Sequence, residues 1–124
     1  MKFWPDVQEA IAEAFHGNFD KLSMQDVKDA IEAQKMQLWG IHDGILRAVM
    51  VTEMVDYPQS RAVRVLTLTG KECEQWLDVL IKTLEEWGGE NGAHQIEFTG
   101  RTGWKKVLSD YGFENPQITM SKTI

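Results

Sequence analysis

Between Arg61 and Thr99 the hydrophobic pattern changes period twice. Ala62, Val63, Val65, Leu66 and Leu68 form an almost continuous apolar run (RAVRVLTLT), which predicts a strand covered on both faces. After Gly70-Lys71, the residues Trp76, Leu77, Leu80, Ile81, Leu84 and Trp87 recur at helical spacing. They predict one long helix over 72–87 with a broad apolar face. Gly88-Gly89 reads as its stop, and HQIEFT (94–99) as a second strand. Strand, helix and strand in so short a span predict a crossover between parallel neighbours.

Upstream, Pro5 suits the first turn of a helix whose apolar stripe is Val7, Ala10, Ile11, Ala14 and Phe15, ended by Gly17-Asn18. Ser23, with Asp26 three residues on, predicts the cap of a second helix that buries Val27, Ala30 and Ile31. MQLWGI (36–41) and ILRAVMVTEMV (45–55) read as two strands joined through His42-Asp43-Gly44, because Asp-Gly tolerates the positive φ of a hairpin turn. Downstream, Trp104, Val107, Leu108 and Tyr111 predict a short helix with Tyr111 in the core and Gly112 as its left-handed stop. Ile118, Met120 and Ile124 alternate with polar residues as in a half-buried final strand. The predicted order is ααβββαβαβ, an α/β fold with a mixed central sheet flanked by helices, in a single domain over 1–124.

Composition narrows the function classes. The chain has 124 residues, 43% hydrophobic and 26% charged, and a net charge of −6. That balance argues against a general nucleic-acid or anionic-membrane binder, which needs clustered Lys and Arg. The single Cys73 excludes an internal disulfide framework and fits a reducing compartment. No stretch approaches the length of a membrane span, and no basic-then-apolar leader opens the sequence. The expectation is a soluble protein without a signal peptide.

Leu66-Thr67-Leu68-Thr69-Gly70 running into the long helix, together with WKKVLSDYGF (104–113), resembles the GNAT family of N-acetyltransferases over nearly the whole chain. MQLWGI, VTEMVDYP and GRTGWKKVLSDYGF are similar, more narrowly, to segments of small GNAT-like proteins of tailed phages. The resemblance implies an acetyl-CoA pyrophosphate turn at Leu68, Thr69, Gly70 and Lys71, where a helix N-terminus offers backbone N–H groups and partial positive charge. It also implies that Arg101 and Trp104 stand along the cofactor arm. Several positions depart from the family pattern. One glycine remains of its glycine-rich turn, and Thr69 and Glu72 have capping-box spacing instead. Glu72 and Glu74 put negative charge where phosphates would lie, and Leu108 holds the position of the family's proton-donating Tyr. Arg101 replaces a helix-start Asn, and Trp104 a small residue.

These departures predict a degenerate acetyl-CoA site with no cofactor. The reading favoured by the sequence is therefore a non-catalytic phage protein, virion-associated, assembly or host-directed, in the host cytoplasm or the virion. Its partner would be a protein, such as a phage structural protein, with no membrane or nucleic acid. The alternative is an acetyl-CoA-dependent N-acyltransferase with an atypical pyrophosphate turn. For that chemistry Glu53 is the candidate general base, since a strand carboxylate facing the cleft could deprotonate an amine. His16, His42 and His94 lack ligand spacing, so no metal site is expected. Trp39, Trp76, Trp87 and Trp104 are read as core, and Cys73 as a buried thiol.

Overall fold

The structure is a computed structural model and describes residues 23–42, 44–98, 107–114 and 122. The predicted first helix, the final strand, Arg101 and Trp104 lie outside the described residues. Ser23 opens helix α1 (Met24–Glu32) through the predicted capping box. Its hydroxyl accepts from the Asp26 N–H at 3.1 Å, and the Asp26 carboxylate accepts from the Ser23 N–H at 2.9 Å. Val27 is fully buried, with Met24 and Ile31 packed beside it.

Strands β1 (Gln37–His42), β2 (Leu46–Asp56), β3 (Arg61–Gly70) and β4 (Gln95–Phe98) form one mixed sheet in that order. The first three are antiparallel neighbours, and β4 lies parallel to β3. Gly44, at φ +101°, provides the left-handed residue that the first hairpin needs. Strand β2 is buried on both faces by alternation. Ala48 and Met50 join the core under the second helix, while Val49 and Val51 meet Val27 of α1. The polar Thr52 is also fully buried. Its hydroxyl accepts from the Trp39 indole and donates to the Gln37 amide oxygen, both at 2.9 Å, so its burial leaves no unpaired group.

The long helix α2 (Leu77–Glu90) places Leu77, Leu80, Ile81 and Leu84 against Val63, Val65 and Leu68 of β3. Strict alternation would put Val65 and Leu68 on opposite faces. They share one because β3 carries a bulge: Val51 pairs with Thr67, Thr52 with Val65, and Leu66 is the extra residue. Leu66 itself turns to the α1 side.

Three expectations are corrected. Gly88-Gly89 does not stop α2, which runs to Glu90; the left-handed residue is Gly92, at φ +82°. Gly88 is instead a contact glycine, since a Cβ there would stand 3.0 Å from Val63 Cγ2. The helix also begins later than its apolar spacing suggested. Tyr111 is 37% exposed rather than core, because helical structure in the described part of this segment covers only 107–109 before Gly112, at φ +87°, turns the chain. Leu108 is buried as expected, and Phe113 meets Phe98 edge-to-face at 6.4 Å.

Candidate functional site

The connection from β3 to α2 is the predicted pyrophosphate turn. Leu68 is buried, Thr69 is half-buried and still paired with Val49, and Gly70 closes the strand opposite Ala48. A Cβ on Gly70 would lie 2.7 Å from Ala48 Cβ, 2.7 Å from the Arg47 carbonyl oxygen and 2.9 Å from Trp76 Cζ2. The glycine is therefore required by the protein's own packing. Lys71 and Glu72 follow, both exposed, and Glu72 adopts the left-handed conformation at φ 55°, ψ 48°. A 3₁₀ turn (Cys73–Gln75) then leads through Trp76 into α2. Cys73 is half-buried beside the core.

The predicted Thr69–Glu72 capping box does not form. No side chain caps the 3₁₀ turn or the start of α2. Thr69 is held in the sheet, and the left-handed Glu72 interrupts the helical path that box geometry requires. The Gln75 and Trp76 N–H groups are taken by Glu72 and Cys73 carbonyls inside the 3₁₀ turn. The indole N–H of Trp76, 6% exposed, donates to the Lys71 carbonyl at 2.8 Å. On one side of the turn a hollow of about 200 Å³ is lined by Arg47, Ala48, Thr69 and Gly70. On the other an apolar groove of about 320 Å³ runs between β1 and α2, with Trp39, Ile41, Met50, Trp76, Val79 and Leu80 along it.

Glu53 is not brought together with the turn. Register places it opposite Arg64, whereas Thr69 lies opposite Val49. Arg64 in turn faces Glu97 on β4, so Glu53, Arg64 and Glu97 form a ladder across three strands. Arg64 reaches Glu53 at 3.4 Å and Glu97 at 3.3 Å. The Tyr57 hydroxyl donates to the Glu97 carboxylate at 2.7–2.8 Å and accepts from Arg64 at 3.0 Å. Partial burial pulls the Arg64 pKa down, but the hydrogen bond to Tyr57 and the fields of Tyr57, Glu97 and Glu53 outweigh it, so it lies above the ordinary arginine value. The ladder ends beside Val65–Phe98, the last described pair of β3 and β4, and the Leu66 bulge follows. Opposite charges three strands abreast were the missed signal, since their meeting depends on register alone. Among the described residues, no group of three His, Cys, Asp or Glu side chains could hold a metal ion. No helix among them is long and apolar enough to cross a membrane.

An α/β GNAT acetyltransferase fold, with a mixed sheet between helices, is what these elements define. Solved structures bear this out at low sequence identity. The enzyme AAC(6')-Iy in complex with a CoA-linked bisubstrate analogue superposes with a TM-score of 0.74 at 16% identity, covering 99% of this chain and 92% of that one. An aminoglycoside acetyltransferase from an uncultured soil metagenomic sample gives 0.73 at 12%, covering 99% and 91%. A predicted acetyltransferase from Clostridium acetobutylicum, solved with acetyl-CoA, gives 0.65 at 12%, covering 79% and 71%. No family model and no curated protein matches the sequence.

Proposed function

We propose that the chain is an acetyl-CoA-dependent N-acyltransferase with an atypical pyrophosphate turn. The observation that carries this reading is the uncapped connection between β3 and α2. A side-chain cap would have occupied the donors an anion needs, and none is present. Several neighbours in fold are acetyltransferases, two of them solved with acetyl-CoA or a CoA-linked analogue, which supports the same direction. Acetyl-CoA, when bound, supplies an acyl thioester. Toward it, Lys71 and the turn's backbone would hold the pyrophosphate, with Leu68, Thr69 and Gly70 shaping the approach. Glu53 is the candidate base. Its carboxylate stands one rung from the point where the described β3–β4 pairing ends, and it could take a proton from an amine approaching there.

A second reading has an observation of its own. Glu72 and Glu74 flank the turn with two negative charges against one from Lys71, and the buried Leu108 offers no proton where the family resemblance implies a Tyr. Both fit a non-catalytic phage interaction protein that reuses the fold. Thermal denaturation with and without acetyl-CoA separates the two. A ligand that binds only the folded state must raise Tm, by an amount equivalent to about 2.7 kcal/mol at a hundredfold excess over Kd. The acyltransferase reading expects that rise, and Glu53→Gln should keep it while losing transfer to amines. An unchanged Tm at millimolar acetyl-CoA leaves the interaction protein.

A further inference from the structure

The turn from Lys71 to Trp76 contains no glycine, yet it includes a residue in the left-handed region. Something must hold Glu72 in a conformation that side chains disfavour. Trp76 is anchored for that task. Its ring belongs to the core with Leu80 and Leu84, its Cζ2 backs onto Gly70, and its backbone N–H closes the 3₁₀ turn on Cys73. From that position the indole N–H takes the Lys71 carbonyl at 2.8 Å.

The peptide between Lys71 and Glu72 is trans, so its N–H points opposite to its carbonyl. With the carbonyl held inward by the indole, the Glu72 N–H is turned away from the core at an exposed position. Among the described residues no backbone acceptor meets it. We propose that Trp76 is the positioning residue of the acyl-CoA turn: by fixing the Lys71–Glu72 peptide it makes the Glu72 N–H the leading donor to a pyrophosphate oxygen. The indole thereby does what added glycines would otherwise permit, bringing backbone N–H groups outward without a side-chain cap. This inference rests on the acyltransferase reading and names the residue that shapes its site.

The test is a titration of ¹⁵N-labelled protein with acetyl-CoA, and with S-acetylpantetheine, which lacks the pyrophosphate. In the wild type the Glu72 amide should show the largest shift among the turn amides with acetyl-CoA and little with S-acetylpantetheine. Trp76→Phe keeps the ring and deletes the donor. It should weaken acetyl-CoA by about three- to tenfold, the worth of one hydrogen bond, and shrink the Glu72 shift. S-acetylpantetheine should bind both proteins alike. Equal acetyl-CoA affinity in the two proteins would overturn the inference and leave the acyltransferase reading intact. So would a wild type that binds without moving the Glu72 amide, a result that needs no folded variant. A wild type that binds no acetyl-CoA would overturn the functional reading itself, and this inference with it.

Discussion

Replacing Gly70 by Ala tests whether the glycine at the turn is there for packing or for a ligand. The added methyl would fall short of the 3.4 Å of ordinary contact by 0.7 Å against Ala48 Cβ, 0.7 Å against the Arg47 carbonyl oxygen and 0.5 Å against Trp76 Cζ2. Two of those neighbours are a backbone atom and a Cβ, which move only if the β2 backbone moves. The third is a buried indole tied to Lys71. An inserted methyl group in such a site costs about 1–3 kcal/mol. Gly89→Ala provides the contrast. Nothing lies within 4 Å of its Cβ position, and the residue is exposed inside α2. There the change should stabilise by about 0.5–1 kcal/mol through helix propensity. Urea denaturation of both variants reads the two effects with opposite sign. If Gly70→Ala stays within about 0.5 kcal/mol of wild type, the neighbours of Gly70 do not require a glycine there. A variant of unchanged stability that lost acetyl-CoA would show instead that the glycine serves the ligand.

Further expectations follow from particular contacts. Leu80, 6% exposed in the core under α2, should lose about 2–5 kcal/mol on change to Ala, measured by denaturant midpoint. Glu72→Gln removes a carboxylate from the turn, so acetyl-CoA should bind severalfold tighter, with the gain shrinking as salt is raised; a gain insensitive to salt would argue against a charge effect. The backbone and side-chain hydrogen bonds of Ser23 hold the Asp26 carboxyl below the usual aspartate range. Its folded pKa is depressed, so its contribution is complete above the unfolded value and is lost as pH falls through the folded one. Carboxyl NMR titration should show that depression, and Ser23→Ala, which keeps the backbone N–H donor to the Asp26 carboxylate, should remove only the smaller part that comes from the serine side chain.

The periodic parts of the sequence carried the fold. The apolar run from Ala62 to Leu68, the helical recurrence from Trp76 to Trp87 and the Ser23 box each state a local preference that the packing also satisfies. What could not be read locally was decided by contacts distant in sequence. Gly88 looks like a helix stop until Val63 is seen against it, and then it is a residue that must stay small. Thr69 and Glu72 have the spacing of a cap, but sheet pairing claims Thr69 and the Trp76–Lys71 bond accompanies a turn in which Glu72 is left-handed. The Glu53–Arg64–Glu97 ladder depends on a register that includes a bulge at Leu66, which no alternation pattern announces. The turn was thus legible as a location, and its chemistry was not.

That chemistry comes down to whether the open turn takes the cofactor. Isothermal titration of the wild-type chain with acetyl-CoA is the most direct measurement. The wild-type chain should show a single saturable site with Kd in the low micromolar range, a binding free energy of about −8 kcal/mol. No detectable heat at millimolar acetyl-CoA, from protein whose unfolding remains cooperative, would contradict it.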